Sequence, residues 1–456
     1  MSRVGDGAGA RGLIGLWSGV GLVAANMIGV GVFLSTGYMA QEMSPAWILI
    51  DWVVGLVLAM AGARAYAEVA RMIPRSGGEY RYLSDLVHPV LGYVAGWASL
   101  LVGFAAPTAI NAAAAAAFLG TVTPVAHPRA VATALIAVLT IFHSLGLVTS
   151  KWTQDLLIAL KVVLLVGFVV LGLALGESAW PTWTPPHGSA DFAAGPFFGN
   201  LFFITFAYIG WNAAAYAAGE FRHPTRDVPR AMLLGCAAVG ALYLLVNWVF
   251  VANLDPADAA AAVGSDTVTL GHAVAVKLIG PTGARLMSIL VALAFFSTMS
   301  AMTMVGPRVY ATMAEDGFLP RLLAAREGRP PVTSVVLQSA VAMAIIWTNT
   351  LKNALQNVGA LLAVFSALVA ASLFVMRWRR PDLPRPVPAA LVAAAATVIL
   401  SGWMLVVGFR RLDRSLVVWS AALTALALAT YGATELLRRR AVSGPRPGAA
   451  PPRTGS

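Results

Sequence analysis

The sequence reads Asn26-Met27-Ile28-Gly29-Val30-Gly31-Val32-Phe33 near the middle of its first apolar segment, which runs from Leu13 to Tyr38. A glycine inside a helix costs about 1 kcal/mol relative to alanine, so two glycines separated by one residue mark a point where the helix can unwind. The spacing alone leaves two interpretations open. The glycines interrupt a membrane helix at a binding site, or they let neighbouring helices pack closely.

The composition places this segment in a membrane. Of the 456 residues, 59% are hydrophobic and 11% are charged, whereas soluble domains carry about 25% charged residues. The apolar residues come in runs of roughly twenty, the length of a helix that crosses a bilayer. No signal peptide is recognisable before the first run, so we expect that run to be retained. With Cys236 as the single cysteine, no intrachain disulfide and no cysteine-rich metal site can form, and no cofactor is predicted.

We predict an all-α integral membrane protein with about twelve transmembrane segments. In the first half they are Leu13 to Tyr38, Ala46 to Ala70, Val90 to Leu119, Ala130 to Leu147, Leu156 to Leu175 and Gly195 to Gly219. In the second half they are Ala231 to Ala252, Leu286 to Tyr310, Val332 to Thr348, Leu355 to Met376, Val387 to Phe409 and Leu416 to Leu437.

The distribution of Lys and Arg orients the chain. With a cytoplasmic N-terminus, the inner segments carry roughly three times as many basic residues as the outer loops, which follows the positive-inside rule. The rule also accounts for the net charge of +11 without a nucleic-acid partner. We therefore expect a multi-pass protein of the cell (inner) membrane with both termini in the cytoplasm. Residues 1–12 form the N-terminal tail, and 438–456, rich in Pro, Gly, Ala and Arg, form a disordered tail.

A second interruption lies in the sixth segment, which reads Phe206-Ala207-Tyr208-Ile209-Gly210-Trp211-Asn212. Segments one and six correspond if the chain contains two five-helix repeats, in 13–175 and 195–376, followed by two helices in 387–437. Paired Gly-interrupted segments at matching positions indicate the central site of a transporter. The N-terminus of a half-helix attracts an anion and its C-terminal carbonyls attract a cation, a combination that suits a zwitterionic amino acid.

Several motifs resemble those of the amino acid–polyamine–organocation superfamily. The first break is similar to the Gly-x-Gly-Ile-Phe break of that family, and the sixth segment is similar to its L-type amino acid transporter branch. The other motifs are Ala65-Tyr66-Ala67-Glu68-Val69-Ala70 with Ile73-Pro74-Arg75-Ser76-Gly77-Gly78-Glu79-Tyr80, the loop from Glu220 to Arg230, and the region from Gly306 to Pro320.

This resemblance implies a five-plus-five inverted repeat with broken helices 1 and 6. It also implies that the backbone at the two breaks binds the α-carboxylate and α-amino groups of the substrate. Ile209 departs from the family pattern, because L-type relatives tend to have glycine there, and we expect it to narrow the pocket. Valine at Gly29 or Gly31 is expected to abolish binding and to leave folding largely intact. The implied binding residues are Met27, Ile28, Gly29, Val30, Gly31, Phe206, Ala207, Tyr208 and Ile209.

Lys161 lies inside the fifth segment, where a charge is costly and marks a functional site by default. In one interpretation its side chain snorkels to the inner interface. In the other its ammonium lies between the first break and hydroxyls of the eighth segment, Ser297, Thr298 and Ser300, and replaces a sodium ion. Superfamily relatives with a lysine here work without sodium, so the resemblance implies sodium-independent transport. Whether this lysine also carries a coupled proton stays open.

Four other polar residues have simpler interpretations. Arg64 and Glu68 are four residues apart and are predicted to form a structural ion pair on one helical face. His143 is expected to pack in the protein core. Asn212 occupies a place where relatives that exchange cationic substrates can have an acid, and since an amide cannot balance a cation, a neutral amino acid is favoured.

The prediction is thus a secondary transporter of neutral amino acids that works by alternating access, independently of sodium, by proton coupling or exchange. Its partners are the amino acid, the lipid bilayer and, in the coupled case, protons, with no obligate protein partner. Two alternatives are a transporter of cationic amino acids or polyamines and a non-transporting amino acid sensor. An enzyme would need clustered His, Asp, Glu or Cys residues, and the sequence shows no such cluster.

Overall fold

The computed structural model describes residues 14–146, 151–177, 180–183, 192–253, 270–324 and 331–408, together with 421, 424–432 and 434. Within these residues the chain is helical, and its single β-type contact is an isolated bridge between Ile14 and Phe221. The predicted all-α class is therefore confirmed. Both predicted tails and much of the twelfth predicted segment lie outside the described residues.

The first half of the chain begins with the interrupted segment and continues with long apolar helices. Its elements are α1 (Leu16–Met27), α2 (Val30–Met39), α3 (Pro45–Met72), α4 (Gly78–Leu86), α5 (Pro89–Ala98), α6 (Ala106–Gly120), α7 (Pro128–Ser144) and α8 (Lys151–Leu175). The predicted segments end within a few residues of these helices because each is a continuous apolar run between polar loops.

The third predicted segment is not one regular helix. A π-helical stretch, Ser99–Ala105, joins α5 to α6. Pro107, in the first turn of α6, has no backbone N–H to donate to the preceding turn and its ring crowds that turn, so the regular bonding pattern changes there.

The second half contains the second interruption and the remaining long helices. Its elements are α9 (Ala194–Ala207), α10 (Ala213–Tyr216), α11 (Pro224–Asn253), α12 (Leu270–Glu315), α13 (Val332–Thr348), α14 (Leu351–Arg379) and α15 (Pro388–Gly408). Helix α12 starts well before the predicted eighth segment and is bent at Gly280, where φ is +72°. The mixed composition of this extra helical portion, in which His272, Lys277 and Arg285 interrupt apolar residues, concealed it in the sequence.

Seven described helical segments are long and apolar enough to cross a membrane, and α1 with α2 makes an eighth. The shorter apolar helices α7 and α13 match predicted segments four and nine closely, and α9 covers the first part of predicted segment six. The chain is thus a multi-pass helical membrane protein, and the count of twelve crossings stays a prediction.

The two interruptions lie in the core of the helix assembly. Helix α1 packs on α11 and α12, and α2 packs on α9. Trp52 of α3 makes edge contacts with Tyr208 and Tyr243, with ring centroids 5.7 and 5.9 Å apart. This aromatic packing fixes the second interruption against α3 and α11 and brings both breaks to the centre of the protein.

Candidate binding site at the two helix breaks

The first break consists of Ile28 and Gly29, which join α1 to α2. Both residues are extended, with φ/ψ of −70°/95° and −144°/−158°, and the two half-helices are bent by 40°. The break therefore leaves the last carbonyls of α1 without their usual helical partners. In the apolar interior these groups need other hydrogen-bond donors.

Three side chains from other helices supply these donors. The Lys161 ammonium donates to the Ala25 carbonyl at 2.8 Å. The Tyr243 hydroxyl donates to the Met27 carbonyl at 2.6 Å, and the Thr298 hydroxyl donates to the Ile28 carbonyl at 2.6 Å. The end of α1 is thus held by α8, α11 and α12 together.

Lys161 is fully buried, and its ammonium also donates to the Thr298 hydroxyl at 2.8 Å. The side chain points into the protein and does not snorkel to the interface. Of the three predicted hydroxyls, Thr298 contacts the ammonium. Ser297 is buried, and Ser300 lies 3.0 Å from the Nε2 atom of the buried His143.

Asn111 of α6 holds the other side of the first break. Its Oδ1 atom accepts a hydrogen bond from the Val30 backbone N–H at 3.1 Å, and its Nδ2 atom donates to the Pro107 carbonyl at 2.8 Å. Asn111 therefore fixes the first N–H group of α2. Sequence reasoning missed Asn111 and Tyr243; the available signal for Asn111 was a lone amide in an Ala-rich membrane segment.

The second break spans 208–212, between α9 and α10. Gly210 has φ of +109°, and a Cβ atom there would lie 2.5 Å from the Asn26 carbonyl carbon. On the other side, a Cβ atom at Gly31 would lie 2.4 Å from the Cα atom of Ala207. Only glycine allows these approaches, so the backbones of the two breaks lie side by side.

The nine residues that the resemblance implied for substrate binding lie in and beside these two breaks, and their binding role stays a prediction. Most are buried, and Ile209 is half-buried. Tyr208 lies against Tyr243, with ring centroids 5.5 Å apart. Gly31 packs directly on the main chain of α9, so the structure favours a disturbed packing of α2 on α9 in Gly31→Val over the intact folding expected from the sequence.

Asn212, at the end of the second break, is held by two side chains. Its Nδ2 atom donates to the Glu79 carboxylate at 2.7 Å and to the Tyr216 hydroxyl at 3.2 Å. The Tyr66 hydroxyl donates to the same Glu79 oxygen at 3.2 Å. The amide predicted to face the substrate region is therefore tied to the motif that follows α3.

The predicted structural ion pair is present. Arg64 lies 3.3 Å from Glu68, and Arg71 lies 2.7 Å from the same carboxylate. The backbone N–H of Val387 also donates to Glu68, at 3.3 Å. This cluster ties α3 to the residues before α15 and has no contact with the two breaks among those described.

With this geometry in place, comparison with known proteins identifies the class. The family model for amino acid permeases matches residues 14–432, and the chain belongs to that family. The resemblance to the amino acid–polyamine–organocation superfamily is thereby confirmed, and amino acid transport is the function of this class.

The similar proteins are amino acid transporters. Large neutral amino acids transporter small subunit 2 of Mus musculus is 27% identical over 418 residues, covering 89% of this chain and 78% of that protein. Asc-type amino acid transporter 1 of Mus musculus is 27% identical over 421 residues, covering 87% and 76%. The b(0,+)-type amino acid transporter 1 of Oryctolagus cuniculus is 25% identical over 384 residues, covering 82% and 78%.

Proposed function

We propose that this permease is a sodium-independent secondary transporter of neutral amino acids that works by alternating access. The observation that carries the proposal is the position of the Lys161 ammonium, 2.8 Å from both the Ala25 carbonyl and the Thr298 hydroxyl. In this proposal the chain lies in the cell membrane, its helices form a five-plus-five inverted repeat, and both termini are in the cytoplasm.

The substrate site in this proposal is the pair of breaks. The start of α2 presents backbone N–H groups and a positive dipole end, which favour the α-carboxylate. The end of α9 and the start of the second break, from Phe206 to Ile209, present carbonyls that favour the α-amino group. The contact of Gly31 with Ala207 supports this arrangement, because one small zwitterion can then reach both half-helices.

Lys161 supplies the positive charge that a bound sodium ion would otherwise provide. An ammonium has three donors, and here two of them reach oxygens of α1 and α12. The cation is thereby covalently part of the protein, so no external ion is needed to bridge the first break and α12. This arrangement supports transport that is independent of sodium.

The preference for neutral side chains rests on the second break. The Asn212 amide is occupied by Glu79 and Tyr216, and the nearby side chains of Phe206, Tyr208 and Ile209 are aromatic or aliphatic. A substrate guanidinium or ammonium would have no free carboxylate among these residues. The name of one relative refers to large neutral amino acids, which agrees with this preference.

The test is uptake of radiolabelled leucine by proteoliposomes containing the purified chain alone. We expect uptake without sodium, competition by alanine, leucine and phenylalanine, and weak competition by arginine or putrescine. Strict sodium dependence would contradict the ion replacement. Stronger competition by arginine or putrescine would support the cationic alternative, and leucine binding without any flux would support a sensor.

The same experiment addresses the protein partner. The name of one relative calls it a small subunit, whereas we propose that this chain needs no obligate protein partner. Uptake by the chain reconstituted alone supports this. A chain that binds leucine but transports only with added membrane extract would contradict it.

A further inference from the structure

Asp51 of α3 is a fully buried carboxylic acid inside a membrane-spanning helix. Neither of its oxygens accepts a hydrogen bond from the residues that the structure describes. No Lys, Arg or His nitrogen in that part of the chain lies within 4.0 Å of it. It lies about 9 Å from the end of α3 at Pro45, at 1.5 Å per residue, which is the outer end in the proposed orientation.

Asp51 belongs to a stripe of polar groups without partners on one face of α3. Ser44 Oγ and Trp47 Nε1 are also buried without a hydrogen bond among the described residues. Trp47 and Asp51 lie one turn apart on one face of α3, and Ser44 is the residue that caps the start of this helix. The stripe therefore leads from the outer end of α3 to the buried carboxyl.

The same face continues to the second break. Gly55, one turn further, packs against Ile204 and Tyr208, and the buried Tyr208 hydroxyl likewise has no described partner. Tyr208 also borders a largely apolar cavity of about 30 Å³, large enough for one water molecule. The hydroxyl-bearing residues in its lining are Thr205, Tyr208, Ser366, Thr397 and Ser401.

The charged groups on the surrounding helices do not compensate Asp51. Helix α3 packs on α9, α11, α14 and α15, and α9 and α15 contain no ionisable residue. Helix α11 has Cys236 and Tyr243, whose hydroxyl is bonded to Met27, and α14 has Lys352, whose ammonium lies 5.8 Å from the Tyr38 ring. The remaining ionisable residues of these two helices lie at the start of α11 and at the end of α14. They are Arg226, Asp227, Arg230, Arg377 and Arg379.

These surroundings favour a neutral carboxyl. A buried carboxylate without a cation or donor is disfavoured by several kcal/mol. Ionisation therefore requires water to reach Asp51. The outer approach is covered by a cluster of aromatic rings around Trp47, in which Trp183, Phe192 and Phe197 lie with centroids 4.9–6.1 Å from it.

We propose that Asp51 is a proton-binding site of the transport cycle, which takes up a proton from the outer solution before the outer aromatic cluster closes. The inference rests on the proposed function, and it assigns the proton to Asp51 and not to Lys161. Lys161 has acceptors for its donors and acts as a fixed cation, whereas Asp51 has no compensating group in the described part of the chain. Opening of the cluster hydrates the carboxyl and lets it ionise, and closure requires the neutral form.

The experiment compares initial leucine uptake by wild type and Asp51→Asn in proteoliposomes over a range of external pH. The wild-type rate should fall by about tenfold for each pH unit above the midpoint of the carboxyl, as linkage to one required proton demands. The amide imitates the neutral carboxyl, so Asp51→Asn should transport at a rate that is independent of external pH. Identical pH profiles, or a wild-type profile without pH dependence, would overturn the assignment.

The matched control is Asp382→Asn. Asp382 is exposed, and a hydrogen bond from Arg380 lowers the pKa of its carboxyl, so it stays ionised throughout the range and its variant should keep the wild-type profile. If Asp51→Asn does not fold, Asp51→Glu serves instead, and an unchanged midpoint of its pH profile would overturn the proposal.

Exchange of external leucine against internal leucine separates the proposed transport function from the proposed role of Asp51. No exchange in wild type at any pH refutes the transport function. Exchange with the same pH profile in wild type and variant refutes only the role of Asp51.

Discussion

The Lys161 ammonium lies 2.8 Å from the main-chain oxygen of Ala25, and this hydrogen bond joins residues 136 positions apart. The bond connects α8 to the last turn before the first break. It fixes a positive charge where the helix has lost its own hydrogen bonds. The stability of the break and the proposed sodium independence therefore depend on the same side chain.

Lys161→Met is expected to reduce leucine uptake by at least about tenfold. It keeps much of the length of the side chain but leaves the Ala25 carbonyl without its donor, and each buried group left unpaired costs about 1–3 kcal/mol. Uptake into proteoliposomes, normalised to protein amount, measures the effect. Lys277→Met is the control, because Lys277 is partly exposed and pairs with the exposed Glu177; it should transport normally. Wild-type flux in Lys161→Met would show that the ammonium takes no part in the cycle.

The two glycines of the first break should respond differently to alanine. At Gly31 the new Cβ atom would lie 2.4 Å from the main chain of Ala207, so α2 and α9 must separate. Overpacking of this kind costs about 1–3 kcal/mol, and thermal unfolding should show a lowered midpoint. At Gly29 the nearest atoms, at 3.2 Å, belong to the side chains of Asn111 and Thr298, so Gly29→Ala should fold and bind leucine more weakly.

Gly402→Ala is the control for both variants, because nothing lies within 4 Å of a Cβ atom there. Alanine should leave the unfolding midpoint unchanged or raise it, since it favours the helix. A Gly31→Ala protein as stable as this control would contradict the close contact of the two breaks.

Asn111→Ala should weaken leucine binding and lower thermal stability. It removes the acceptor of the Val30 N–H and leaves a buried donor unpaired, at a cost of about 1–3 kcal/mol. Binding to purified protein and thermal unfolding measure both effects. Asn349→Ala, at an exposed amide that bonds to Thr348, is the matched control. Unchanged affinity in Asn111→Ala would mean that the start of α2 is not organised by this side chain.

Asn212→Asp should lower thermal stability at neutral pH and should not create arginine transport. The new carboxyl would lie beside Glu79, to which the amide now donates at 2.7 Å, so repulsion replaces a hydrogen bond. Adding Glu79→Gln should restore stability, because the amide and the carboxylate then exchange places. A double variant as unstable as Asn212→Asp would show that the two side chains do not interact.

Much of the architecture could be predicted because membrane helices obey local rules. The second predicted segment, from Ala46 to Ala70, differs by only one or two residues at each end from α3 (Pro45–Met72). Both interruptions were visible as glycines next to polar residues. The π-helical stretch and the helical start of α12 were not visible, because the first depends on a single proline and the second has a mixed composition.

The sequence by itself determined that this chain is a multi-pass helical protein with interruptions at residues 28–29 and near Gly210. These properties depend on apolar length and on the conformational freedom of glycine, which neighbouring residues reveal. Only the tertiary structure decided which groups complete the opened backbone, because Asn111 meets Val30 across 81 positions and Tyr243 meets Met27 across 216. It alone also showed that Lys161 has partners and Asp51 has none in the described chain. The physical reason is that the cost of a buried polar group depends on its neighbours in space, and helix packing brings those neighbours from distant parts of the chain.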